Sequence, residues 1–444
     1  MAAFYNKIIR ERRKSIIYFF CSILLFATIT GPVFSVVGEE SGPNRRITID
    51  RQYFFGQLSP RAVSEFHLNV LMFQGLTMDI VQNAARTLTP ESSEFFAPAF
   101  GFLLLGFYHI YFTLPGMNAM HASGTAFRQY AGGLRPKLFT GAKGFPRKPN
   151  YKKAKANYFA FLWQNSVDKF QGLHKPGFSI AEGNYTFSQK PVRNDMLIAM
   201  GGANAGMYFA EYIGLNLRYK TAHVSHLSGY IAGRFDNYRY AENAARAKKF
   251  GAPNDLVDIR KFYKKRGIKF RYSAVQEATV ITFLSSGTTI SFLRSTLDQN
   301  YWGKPVEPVI LNGIIFPDIY YYLTTRGPSY KVSGGYMTHN MAYPVSVERT
   351  QGARPTLEIQ VGTRNFSMTH QAELLFLYST ASEALGIKFY GEYSVYSSET
   401  TTWKIWGGVT RHAPGSLRAE REMPGVRTQL LDNLEGIFGV SIEY

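Results

Sequence analysis

The sequence predicts an α+β chain: an N-terminal signal, a helix-rich middle and a C-terminal antiparallel β-barrel of about eight strands. Three observations carry this. A charge-free apolar run follows a basic cluster near the N-terminus, apolar residues recur at helical spacing through the middle, and the pattern switches to period two near Ile319. The implied divisions are 1–35 (signal peptide), 40–150 (helical, with one strongly apolar helix at 95–114), 151–304 (basic and helix-leaning) and 305–444 (the barrel). With 444 residues there is room for more than one folding unit.

Composition narrows the partners. Lys and Arg outnumber Asp and Glu by 50 to 31, which favours anionic lipid or lipopolysaccharide as a neighbour. Aromatic residues make up 15% of the chain, and amphipathic rings suit membrane–water interfaces as well as large cores. Cys21 is the only cysteine, so no intramolecular disulfide and no cysteine-based zinc cage can form.

At the N-terminus, Lys7, Arg10, Arg12, Arg13 and Lys14 precede the uncharged stretch Ile16–Val37, the layout of an export signal. Gly31 and Pro32 break its helix late, and cleavage after Ser35 is expected; an uncleaved anchor is the alternative. In the middle, Phe66, Val70, Phe73, Thr77, Ile80 and Val81 predict one helix over 62–86, and its Glu65, Asp79 and Arg86 mark it as a packed helix rather than a span. The stretch 95–114 has no formal charge and a length close to the ~20 residues that cross a bilayer, although His109 would be awkward in lipid. Residues 132–155, rich in Pro, Gly and Lys, read as a basic linker. Around 254–267, Asn254 is placed to cap a helix that begins with acids, ends with cations and leaves through Gly267. Residues 274–293 mix Ser, Gly and Thr with Val, Ile, Phe and Leu, a composition that lets helices approach closely; Glu277 suits a soluble bundle better than a span.

Catalytic signatures are missing, which points away from an enzyme. His121 opens the outline of a helical zinc motif, but Ala122 and Thr125 occupy the positions of its base and second histidine. Glu211, His223 and His226 are the other weak metal candidates. With so few ligands, replacing His121 by Ala is expected to change little, and no metal or cofactor is expected. The run Met200–Gly206 lacks the strand and spacing of a phosphate cradle and is expected to permit close backbone contact instead. Basic and aromatic residues interleave within 218–271, but an exported chain has little occasion to meet nucleic acid, which is not an expected partner.

In the last third, Leu357, Ile359, Val361 and Thr363 alternate with Glu358, Gln360, Gly362 and Arg364. The same alternation holds for 387–395 and 403–410, and Tyr330, Val332 and Tyr336 make an early strand. A soluble sandwich alternates too, and Leu375 and Leu377, which make 372–378 apolar on both faces, suit that option. The closing residues Phe438, Val440, Ile442 and Tyr444 share one face, with Gly439, Ser441 and Glu443 on the other. This resembles the C-terminal strand signal of bacterial outer-membrane β-barrel proteins. The resemblance covers that strand, and it implies a membrane-interface role for Phe438, Val440, Ile442 and Tyr444 and pairing of the last strand with the first. It also implies an outer-membrane location, barrel-assembly machinery as a partner, and a non-catalytic anchor or scaffold with a helical periplasmic or plug domain. The alternatives are a membrane-associated hydrolase with a degraded zinc site around His121 and Glu211, and a polytopic inner-membrane protein carrying a soluble β-domain, with spans near 16–37, 95–114 and 274–293.

Overall fold

The computed structural model describes residues 46–50, 59–88, 101, 103–131, 195–219, 222–250, 254–297, 306–338, 341–352, 355–366, 370–380, 383–398, 401–413, 415–422 and 434–443. The expected signal at 1–35, Cys21, the 132–155 linker and Tyr444 lie outside them.

Strand β1 (Arg46–Asp50) opens the described chain. Helix α1 (Pro60–Leu88) follows, close to the helix expected over 62–86. A π-turn at His109–Thr113 leads into α2 (Leu114–Ala131). Then come α3 (Asp195–Tyr219), α4 (His226–Phe250), α5 (Asp255–Lys265), α6 (Tyr272–Leu284) and α7 (Gly287–Leu297). Asn254 caps α5 as its sequence predicts, accepting from the amides of Leu256 and Val257 at 3.0 and 3.3 Å, and Gly267 leaves with φ +71°. The stretch 274–293 is not one helix: it breaks at Ser285–Ser286 between α6 and α7. No described helix is long and apolar enough to cross a membrane.

The strands are β2 (Ile310–Leu311), β3 (Ile314–Thr324), β4 (Gly327–Met337), β5 (Met341–Thr350), β6 (Leu357–Phe366), β7 (His370–Ser379), β8 (Ala384–Ser397), β9 (Thr402–Arg411) and β10 (Leu434–Glu443). A short helix, α8 (Leu417–Glu422), interrupts β9 and β10. All ten strands form one antiparallel sheet in the order β1-β10-β9-β8-β7-β6-β5-β4-β3-β2. The expected barrel of about eight strands is therefore corrected on two points. The sheet has ten strands, one of them drawn from residues 46–50, and it is not closed. The last strand does pair with the first of the sheet, Ile442 opposite Ile47 and Val440 opposite Ile49.

Helices bond β1 at one end of the sheet and, at the other, the part of β3 that the two-residue β2 leaves uncovered. On β1, the Asn69 carboxamide of α1 accepts from the Thr48 amide at 3.0 Å and donates to the Thr48 carbonyl at 2.7 Å. On β3, Asn204 of α3 does the same to Leu323, accepting at 3.0 Å and donating at 2.7 Å. A carboxamide presents one donor and one acceptor side by side, so each Asn stands in for a residue of a neighbouring strand. Further along β3, Ser286 donates to the Ile319 carbonyl at 3.2 Å and accepts from its amide at 3.0 Å, and Arg234 also donates to that carbonyl. Exposed edges template aggregation, and these clamps remove that hazard. Asn204→Leu leaves both Leu323 groups buried without partners and is expected to cost about 1–3 kcal/mol for each unsatisfied group. A urea-unfolding midpoint checks this.

Candidate functional site: an apolar outer face over a charged interior

The sheet wraps α1 and α3. Arg61 of α1 lies over the Trp406 ring of β9, 5.5 Å from its centroid, while Tyr219 at the end of α3 lies under Arg364 of β6 at 4.9 Å. Buried side chains of β4, β5 and β6 likewise meet α3 and α8. Period two then sends alternate side chains to the two faces, and their chemistry is divided sharply.

The inward positions are polar and charged. Lys331 Nζ of β4 meets Glu211 Oε1 of α3 at 2.6 Å, and Tyr322 donates to the other Glu211 oxygen. Arg421 of α8 grips Glu348 of β5 with both terminal nitrogens, at 2.7 and 2.6 Å, and Ser329 donates to the same carboxylate at 2.6 Å. Glu358 of β6 accepts from the amides of Leu417 and Arg418 at the start of α8 and from Ser379 at 2.8 Å. Glu373 sits between Lys388 at 2.7 Å and Arg364 at 3.5 Å; Lys404 sits between Glu443 at 2.6 Å and Glu392 at 3.5 Å. Asp318 of β3 is fully buried and accepts from Arg218, from the amide and hydroxyl of Thr288 at 2.8 and 2.7 Å, and from Tyr320 at 2.9 Å. Charges stay ionised in such a place only when opposite charges and donors meet them; Glu211, Glu348, Glu373 and Asp318 each have a cation, whereas Glu358 has donors alone and burial, then the nearby Glu348, pushes its carboxyl up.

The outward positions are apolar and exposed: Val345 and Val347 on β5, Ile359 and Val361 on β6, Leu374 and Phe376 on β7, Phe389 on β8, Ile405 and Val409 on β9, Phe438 and Val440 on β10. Of the interface residues expected from the sequence, Phe438, Val440 and Ile442 share this face, with Ile442 partly covered. Leu375 and Leu377 are buried on the inward face, in a small recess shared with Lys388 and Arg418. On β4–β10 the outward cations are Arg349 and Arg411, both at the end of the wall where β3 turns into β4. The opposite end carries exposed Tyr336, Tyr343, Tyr393, Tyr396 and Trp403, with Tyr336 paired to Tyr343 and Tyr396 to Trp403.

The metal candidates are not brought together. His121 on α2 lies against Gly202 of α3, where an added Cβ would come 2.8 Å from Nε2. Glu211 is nine residues further along the same helix, about 13 Å away at 1.5 Å per residue. Glu211 belongs instead to the Lys331 pair. His223 accepts from the Ser225 amide at 3.0 Å and points Nε2 to Asp79 at 3.3 Å, while His226 Nε2 meets the Met72 sulfur at 3.1 Å. The glycine-rich run lies inside α3 and gives close approach as expected: a Cβ on Gly233 would stand 2.5 Å from the Gly206 carbonyl oxygen.

His121 has a structural task. Its Nδ1 meets Asp236 at 3.3 Å, its Nε2 meets Asp255 at 2.9 Å, and its ring stacks on Tyr240 at 4.2 Å. Burial alone would favour the neutral ring, but hydrogen bonds and charge from the two aspartates outweigh it and raise the pKa to about 10. An imidazolium donating from both nitrogens has no lone pair for a metal. These contacts argue against the expectation that His121→Ala is tolerated: the substitution strands buried Asp236, and a loss of about 3–5 kcal/mol is expected.

The pH dependence follows. Because the His121 pKa is raised from 6.5, its stabilisation is complete below that value and is lost as pH rises toward about 10. His226 behaves oppositely: burial, then the neighbouring His223, lowers its pKa to about 3, so stability is complete above 6.5 and falls as pH drops. Urea midpoints across pH should show both limbs, the alkaline one disappearing in His121→Ala.

Comparison with protein-family models, with curated proteins and with solved structures finds no match. The reading of this site rests on its own chemistry.

Proposed function

We propose that the chain is a non-catalytic anchor or scaffold of a bacterial outer membrane, with the outward sheet face against lipid and the helices filling the inner side as a plug. The observation that carries this reading is the inverted polarity of the sheet. In water, a strand hides its apolar side chains and wets its polar ones; here Val361 is 46% exposed while Arg364, three residues on and facing the other way, is 7% exposed. Lipid reverses the preference, since hydrocarbon costs an apolar side chain nothing and a charge a great deal. Strands of 10 to 14 residues in β3–β10 meet the length of about 9–11 residues that a tilted strand needs to cross a bilayer. The tyrosines and Trp403 at one end suit the interfacial girdle, and Arg349 and Arg411 at the other suit headgroups.

Expression in a Gram-negative host followed by density-gradient separation of the two membranes tests the reading. Recovery in the outer membrane, resistant to alkaline carbonate, is the expected result. Recovery as a soluble periplasmic or cytosolic protein would overturn it, and recovery in the inner membrane would replace the location.

A further inference from the structure

We infer that α6 and α7 complete the wall: they run beside β3 in the place of a missing strand and present bilayer hydrocarbon with their own apolar face. This rests on the lipid-facing reading of the sheet and extends it to residues 272–297.

The contacts follow β3 step by step. Val275 and Ala278 pack in one cluster with Tyr321 and Leu323; Ser286 bonds Ile319; Thr288 bonds Asp318; Ser291 accepts from the Val309 amide at 3.2 Å, and Val309 in turn accepts from Phe316. Residues 275 to 291 thus ascend as β3 positions 323 to 316 descend, so the two helices lie antiparallel to the strand along the part of its edge that β2 leaves uncovered. They bond it through serine and threonine where a strand would use backbone.

These helices share the inverted polarity of the sheet. Thr279, Thr282, Ser286, Thr288, Thr289 and Ser291 are buried. Ile281 and Leu284 are 64% and 62% exposed, with Val280, Ile290 and Leu293 exposed beside them. Residues 278–293 carry no formal charge, bounded by exposed Glu277 and Arg294. On a helix that length rises about 24 Å, equal to the ~25 Å apolar band of an outer-membrane barrel. The break between the helices satisfies the rule that backbone in hydrocarbon must be paired internally: the Ser285 amide donates to Ile281 at 3.1 Å, the Ser286 amide to Phe283 at 3.3 Å and the Ile290 amide to Ser286 at 3.2 Å. A protein partner would need only a local patch, whereas the apolar surface here continues from α7 and α6 past Phe316 onto the outer face of β4–β10. That continuity selects the bilayer as occupant.

Nitroxide labels report the environment directly. In a Cys21→Ser background, single substitutions Ile281→Cys, Leu284→Cys, Ile359→Cys and Ser273→Cys would be labelled and the protein reconstituted into phosphatidylethanolamine–phosphatidylglycerol vesicles. Collisional relaxation by oxygen, which partitions into lipid, is expected to exceed that by a water-soluble nickel chelate at 281, 284 and 359, with the order reversed at 273. Lipid exposure at 359 with water exposure at 281 and 284 overturns the inference while leaving the sheet reading intact. Water exposure at all four overturns both. Spin–spin broadening at 281 that vanishes on dilution with unlabelled chain assigns the face to a second copy and also overturns it. All four positions are on described helices or strands and lie outside the buried ion pairs, so labelling leaves the fold in place, which native-like urea midpoints of the labelled chains would verify.

Discussion

Val361→Arg is expected to cost about 2–4 kcal/mol of stability in a bilayer and to sharply reduce membrane-inserted protein. Val361 lies mid-strand on β6, opposite Val345 on one side and Phe376 on the other, and all three are exposed on the outer face. On the proposed reading the guanidinium would stand in hydrocarbon, too far from either end of the strand to reach headgroups. In water the same change is a surface substitution worth within about 0.5 kcal/mol. The two environments therefore predict effects differing by several-fold, read as the urea midpoint of vesicle-reconstituted chain. Thr363→Arg, two residues closer to the strand end on the same face, should cost less, because the penalty falls with depth. Equal, negligible effects at both positions would return the sheet to water.

Asp318→Ala should destabilise the chain by about 3–5 kcal/mol, by a different route. The carboxylate is fully buried and serves Arg218 on α3, Thr288 at the start of α7 and Tyr320 on its own strand. Removing it leaves a buried guanidinium without its counter-ion and frees the α7 end from β3. Arg218→Met strands the carboxylate instead and should cost a similar amount. The double variant is expected to lose less than the sum, since neither charge then remains unpaired. Additivity of the two losses, measured by urea unfolding, would show that the pair is not the unit holding the helices to the sheet.

Several elements were legible because their signals are local. The α1 periodicity, the Asn254 cap and the Gly267 exit of α5 depend on residues within a few turns of one another, so sequence sufficed. Strand β1 was missed because five residues, Arg46–Asp50, are too few to display a period. Its pairing with β10 spans nearly the whole chain. Helix α8 was missed for a related reason: six residues cannot hold a helix alone, and this one depends on Glu358 at its start and Glu348 against Arg421. The partners of the weak metal candidates His121 and Glu211 were not legible, because one-letter spacing cannot show the distant ionic groups each one meets, Asp236 and Asp255 for one and Lys331 for the other.

By itself the sequence determined that the last third is built of strands with one apolar and one polar face, because a period of two is set by backbone geometry and needs no partner to be read. It could not determine which face is covered. A sandwich core and a lipid-facing wall call for the same alternation, and they differ only in where helices and neighbouring strands lie. The tertiary structure decided that: among the described residues α1, α3 and α8 stand on the charged side, Asn69 and Asn204 bond β1 and β3, and the apolar side chains of β5–β10 are exposed. Burial is a property of contacts between residues far apart in the chain, and no local pattern encodes it.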